Sequence, residues 1–226
     1  MSSLSGPDRE ALLRLGSFRR YEPGEALMVE GGLDTVVVLL LEGCVKVTVG
    51  AEDGSSVLLA IRAPGDVVGE LAVLDGRPRS ATVVAARGTS TRVISGTTFR
   101  AFLRERPDAA AEMQRFVVGK LRAAIRYRID AVGGTVPVRM ARALDTLVRS
   151  YGRPTPQGLR IDVPLSNADL AALAGLSPAS VQRALRVLRA SGAVATEYRS
   201  VVVRDVSLLR AVAAGHVGGE APGMAS

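Results

Sequence analysis

Residues 64–85 read Pro64-Gly65-Asp66-Val67-Val68-Gly69-Glu70-Leu71-Ala72-Val73-Leu74-Asp75-Gly76-Arg77-Pro78-Arg79-Ser80-Ala81-Thr82-Val83-Val84-Ala85. Gly69-Glu70-Leu71 opens a short helix, and the free amides at such a helix start suit a phosphate. Arg79 can pair with a phosphodiester through charge-assisted bonds. Ser80 and the Ala81 amide can add donors, and Glu70 can accept from a ribose 2′-hydroxyl. The same residues allow a purely structural reading, an ion pair of Glu70 with Arg79 or Arg77 in a stretch that holds no ligand.

Around this stretch, residues 18–100 read as short strands. Glycine turns at Gly24, Gly31-Gly32, Gly43, Gly54, Gly65 and Gly69 separate β-branched runs at Thr35–Val38, Val45–Val49, Val57–Ile61 and Ala81–Ala85. Many short strands at this spacing predict a sandwich, barrel or roll. Asp53-Gly54 is a tight-hairpin signal.

The period changes after residue 97. Thr97–Leu103 reads as a short capped helix, and Pro107 can start the next one. From Asp108 the apolar positions Met113, Val117, Leu121, Ala124 and Ala131 follow helical spacing over about seven turns, flanked by Phe116, Ile125 and Ile129. A helix this long and only partly apolar is read as a dimerisation helix. Gly133-Gly134 and Pro137 break it and predict a hinge, followed by a helix over Val138–Ser150. The expected division is a β-domain over 1–106, the long helix over 107–134, a third segment over 135–210 and a mobile tail over 211–226.

In the third segment, Asn167 to Ala174 predicts a helix, Gly175 a tight turn, and Ser177-Pro178 the cap and first residue of a second helix. Val181, Leu185 and Leu188 share one face of that helix; Ala179, Gln182, Arg183 and Arg186 share the other. Polar and basic groups gathered on one face suit the major groove of double-stranded DNA. Asn167, Ser177, Ser180, Gln182, Arg183 and Arg186 are the expected DNA contacts. Val194–Tyr198 and Val201–Val203 predict a hairpin wing, with Tyr198 and Arg199 at phosphates.

Charge supports this division. The net charge is +7, and Pro137–Arg210 carries eleven Arg/Lys against five Asp/Glu. A basic segment on a near-neutral one points to a polyanion partner. The single cysteine, Cys44, lies in a strand-like stretch and reads as a small buried side chain rather than a redox sensor. It forms no intrachain disulfide and is too few for an iron–sulfur cluster. With one histidine, His216, a haem or zinc site is not expected, and neither is catalysis, since no nucleophile–histidine pair or metal cluster can be drawn. The N-terminus has no signal-peptide pattern. The longest apolar run, Val36–Leu41, is too short to span a bilayer. A cytoplasmic protein is therefore expected.

The stretch from Pro64 to Ala85 closely resembles the phosphate-binding cassette of cyclic-nucleotide-binding domains. With the hinge and the helix-turn-helix, the chain from about Arg19 to Leu208 resembles the cyclic-AMP receptor protein / fumarate-nitrate regulator family of transcription regulators. The resemblance implies an α+β fold: an antiparallel β-roll, a dimerisation helix and a C-terminal winged helix-turn-helix. It implies a cyclic nucleotide effector held by Gly69, Glu70, Leu71, Arg79, Ser80 and Ala81, with cyclic AMP first and cyclic GMP or cyclic di-GMP as alternatives. It also implies a homodimer, DNA and RNA polymerase as partners. Two departures stand out. A Thr-Ser pair that contacts adenine in the best-known cyclic-AMP-responsive member falls on Ala124-Ile125, which have no side-chain donor. That member's base-reading Arg-Glu pair falls on Pro178-Ala179, although Arg183 is retained. A regulator that binds DNA constitutively, its cassette vestigial or holding another ligand, is the alternative reading.

Overall fold

The computed structural model describes residues 4–51, 54, 56–197 and 200–216. It divides into two compact units, 1–125 and 126–226. Unit 1 begins with helix α1 (Gly6–Arg14), which the sequence reading did not anticipate. Its strands are β1 (Ser17–Tyr21), β2 (Ala26–Met28), β3 (Val36–Glu42), β4 (Val45–Gly50), β5 (Ser56–Arg62), β6 (Val67–Val68), β7 (Thr82–Ala85) and β8 (Thr89–Ser95). Its helices are α2 (Glu70–Asp75), α3 (Gly96–Glu105) and most of α4 (Pro107–Val132).

The strands form two four-stranded sheets, β1-β8-β3-β6 and β2-β7-β4-β5, with every pairing antiparallel. β3 explains why the longest apolar run is a strand and not a membrane segment. Successive side chains of a strand point to opposite faces, and both faces of β3 are covered. Val38 and Leu40 join Tyr21, Val45, Val83 and Ala85 in one core. Val37 and Leu39 join Ile94, Phe99, Phe102, Ala109 and Met113 in the other, together with Leu4 and Leu12 of the α1 region. Ser95 caps α3, accepting from the Thr98 amide. Cys44 is buried.

Unit 2 contains the end of α4, α5 (Val136–Tyr151), β9 (Gly152–Thr155), β10 (Gly158–Ile161), α6 (Asn167–Ala174), α7 (Pro178–Ala190), β11 (Val194–Glu197), β12 (Ser200–Val203) and α8 (Val206–Ala213). Helix α5 packs against α6, α7 and α8, burying Met140, Ala141, Leu144 and Leu147. The sheet runs β11-β12-β10-β9. Pro154 sits in β9, an edge strand, where a missing N–H costs little. The expected mobile tail from residue 211 needs correction, because α8 continues to Ala213, capped by Asp205. The rest of that expectation, and the Asp53 half of the hairpin signal, lie outside the described residues. No helix of the described residues is long and apolar enough to cross a membrane.

Candidate functional site

Strand β6 pairs with β3 and delivers the chain to Gly69, whose φ of +81° lies in the left-handed region. A Cβ there would stand 2.6 Å from Arg79 Nη1 and 2.8 Å from the Val36 carbonyl. Both the backbone angle and the close approach require glycine. Helix α2 then runs six residues, and the chain returns through Arg79 to β7. The Arg79 backbone is clamped to the β2–β3 loop: the Gly31 amide donates to its carbonyl at 2.8 Å, and its own amide donates to the Gly32 carbonyl at 2.9 Å.

This clamp sets the Arg79 side chain beside Asp34. Nη2 donates to Asp34 Oδ2 at 2.5 Å and to the Val36 carbonyl at 2.8 Å, Nε to Asp34 Oδ1 at 3.4 Å, and Nη1 to the Gly69 carbonyl at 2.8 Å. Arg79 is only 3% exposed. Four of its five N–H groups are therefore engaged, and one on Nη1 has no partner among the described residues. Ser80 is exposed and Ala81 half-buried beside it. Leu71 is 42% exposed, so what it can offer a ligand is its backbone amide.

Glu70 is buried, and its partner is neither Arg79 nor Arg77. Lys120 of α4 donates to Glu70 Oε1 at 2.8 Å and to the Val67 carbonyl at 2.9 Å. Its ammonium also lies 4.5 Å from the centre of the Phe116 ring. Burial pushes the Lys120 amine below its ordinary value, opposed by the Glu70 charge. The ion pair of the alternative structural reading is not formed; Glu70 pairs with Lys120 and Arg79 with Asp34. Sequence reasoning missed Asp34 and Lys120, and only Lys120's placement among apolar helix positions could have flagged it. Ala124 lies one turn beyond Lys120 on α4. Ala124 and Ile125 are both exposed, and neither side chain can hydrogen-bond.

In unit 2 the turn forms as its residues dictate. Ser166 and Asp169 make a reciprocal capping box at the start of α6, leaving Asn167 exposed in the first turn. Gly175 is left-handed at φ +60° and ends α6. Arg139 of α5 caps the turn by donating to the Ala174 carbonyl at 3.1 Å and to the Gly175 carbonyl. Ser177 caps α7 by accepting from the Ser180 amide. Val181, Ala184, Leu185 and Leu188 are buried, while Ala179, Gln182, Arg183 and Arg186 are exposed. Ser180 is 9% exposed, and its hydroxyl accepts from Ser177 Oγ at 3.0 Å and from Arg183 Nη2 at 2.9 Å. Tyr198 and Arg199, which follow β11 in the sequence, lie outside the described residues.

Comparison with known proteins follows the same division. Residues 18–106 match the cyclic nucleotide-binding domain, and residues 138–212 match the Crp-like helix-turn-helix domain. The chain is 31% identical over 209 residues to the cyclic AMP receptor protein of Thermus thermophilus, covering 91% of this chain and 93% of that one. It is 26% identical over 213 residues to a CRP-like cAMP-activated global transcriptional regulator of Mycobacterium tuberculosis, covering 87% and 95%. Its fold is similar to that of FixK2 from Bradyrhizobium japonicum, with a TM-score of 0.76 at 22% identity, covering 88% and 97%.

Proposed function

The chain belongs to the cyclic-AMP receptor protein / fumarate-nitrate regulator family of DNA-binding transcription regulators, not to a family of enzymes, and from that premise we propose that it is a homodimeric regulator whose hold on DNA is gated by a cyclic nucleotide. The observation that carries the gating is the pair of cassette charges. The arginine suited to a phosphodiester keeps one N–H available in a buried setting. The carboxylate suited to a ribose hydroxyl is already joined to α4 through Lys120. A nucleotide that competes for Glu70 acts on α4 directly. Val118, Leu121, Ile125 and Ile129 leave an apolar stripe exposed along α4, which supports a second copy as its cover. A ligand that binds one arrangement of the paired helices better than another shifts the equilibrium between them.

Cyclic AMP is the proposed effector, supported by the similarity to a cyclic AMP receptor protein. Arg183 reads a base edge and Arg186 meets phosphate, with Asn167, Ser177, Gln182 and the wing residue Arg199 as further contacts. The proposed place of action is the cytoplasm, where the DNA-bound dimer works through RNA polymerase. Calorimetric titration with cyclic AMP, cyclic GMP and cyclic di-GMP tests the gating. Cyclic AMP is expected to bind and to change DNA affinity; three flat titrations would overturn it. A second reading has a specific observation in its favour: both cassette charges are already neutralised, by Asp34 and Lys120. On that reading the protein binds DNA constitutively, and Arg79→Lys leaves DNA affinity unchanged with or without nucleotide.

A further inference from the structure

The recognition helix treats the exposed arginines Arg183 and Arg186 differently. Arg183 Nη2 donates to Ser180 Oγ at 2.9 Å, whereas Arg186 makes no hydrogen bond among the described residues. We propose that Ser180 is a positioning residue for sequence reading, its buried hydroxyl holding the Arg183 guanidinium in the pose that meets a base edge. The proposal rests on Arg183 being the base reader and adds the group that orients it.

The chemistry of the site separates this role from helix capping. Capping of α7 is done by Ser177, whose Oγ accepts from the Ser180 backbone amide at 3.2 Å. That bond uses the Ser180 backbone; the Ser180 side chain meets the cap only by accepting from the Ser177 hydroxyl. Packing does not call for a hydroxyl either, because the adjacent core positions Val181 and Ala184 are apolar and fully buried. A serine hydroxyl has two acceptor lone pairs. One takes the Ser177 hydroxyl, 3.0 Å away, and the other takes Arg183. The three-residue step from 180 to 183 puts both side chains on adjoining faces of the helix. A guanidinium has five N–H groups, so one bond to Ser180 leaves the rest of the fork for guanine O6 and N7. A rotamer-rich side chain ordered before binding loses less entropy when it binds.

The test uses the full chain and a duplex selected by the wild-type protein from a randomised pool, with a scrambled duplex as reference. Fluorescence anisotropy gives the ratio of the two affinities for wild type, Ser180→Ala, Ser180→Thr, Arg183→Ala and the double variant Ser180→Ala/Arg183→Ala. The loss of one ordered side chain predicts that Ser180→Ala lowers the ratio by about two- to tenfold. Affinity for the scrambled duplex stays unchanged. Ser180→Thr, which keeps the hydroxyl, keeps the ratio. In the double variant the serine change adds nothing to the loss from Arg183→Ala. A Ser180→Ala ratio equal to wild type, or a loss that persists at full size without Arg183, overturns the positioning role while leaving Arg183 as reader. An Arg183→Ala ratio equal to wild type instead removes the base-reading assignment on which the proposal rests.

Discussion

Lys120 and Glu70 are joined across 50 positions of sequence, Nζ to Oε1 at 2.8 Å, and the carboxylate end of the pair is 3% exposed. This bond ties the first residue of α2 to the middle of α4. Taking away one member of a buried pair leaves the other charge without compensation. Lys120→Met should therefore lower the unfolding free energy by about 2 kcal/mol, less than for a fully buried pair because Lys120 keeps some solvent contact. Glu70→Gln in the same chain should recover part of that loss. Urea titrations of the two single variants and the double variant measure the coupling, and simple additivity would show that the pair contributes nothing.

The same amine gives a pH dependence with a definite sign. Burial holds Lys120 below its ordinary value of 10.5. The folded chain therefore releases this proton at a lower pH than the unfolded chain does. In the alkaline window between the two values the unfolded state binds more protons, so this group's contribution to stability rises with pH. Wild type should gain on Lys120→Met as pH climbs toward 10.5, read as the difference between their urea midpoints. A gap that stays constant would mean that the amine titrates normally.

Arg79 is bonded to two backbone carbonyls as well as to Asp34, so its removal has two effects. Arg79→Ala should abolish cyclic-nucleotide binding. It should also lower stability by about 3 kcal/mol, because the Gly69 and Val36 carbonyls lose their donor. Arg79→Lys keeps the charge but not the fork. It should stay closer to wild type in melting temperature while still losing most affinity in calorimetry. Nucleotide binding that survives both substitutions would move the ligand elsewhere.

The exposed stripe on α4 makes the dimer testable. Leu121 is 60% exposed in the single chain. Leu121→Asp should give a monomer at micromolar concentration by analytical ultracentrifugation, with little change in the stability of the chain itself. A variant that remains dimeric places the interface on another surface.

Arg186 is expected to act on all DNA alike. Arg186→Ala should weaken binding to selected and scrambled duplexes by the same factor and lower the slope of log affinity against log salt by about one. A change confined to the selected duplex would make Arg186 a base reader.

What could be read from the sequence was what is encoded locally. Gly175, Ser177 and Pro178 define a turn and a cap within four residues, and both form as their chemistry requires. The limits of α4 followed from Pro107 and the glycines after it. The partners of the cassette charges did not follow, because Asp34 is 45 residues from Arg79 and Lys120 is 50 from Glu70. Residue type says that a buried arginine needs an acid, but not which acid the fold brings to it. Helix α1 and the β9–β10 hairpin went unread for a different reason. Both are short, and the proline in β9 reads as a break unless the strand is known to lie at an edge. Ser180 was read as a DNA contact from its residue type, and the bond that it accepts from Arg183 was not legible in the sequence.

The left-handed angle at Gly69, with Arg79 and the Val36 carbonyl against the missing side chain, has a genetic consequence. Every codon one nucleotide away from a glycine codon specifies glycine again, a stop, or a residue that carries a Cβ. No single-nucleotide missense change at this position can therefore be silent in structure. In a saturation library scored for nucleotide response, position 69 should tolerate nothing but its own synonyms, while Leu71, two residues on and half in solvent, should accept a wide range of alleles.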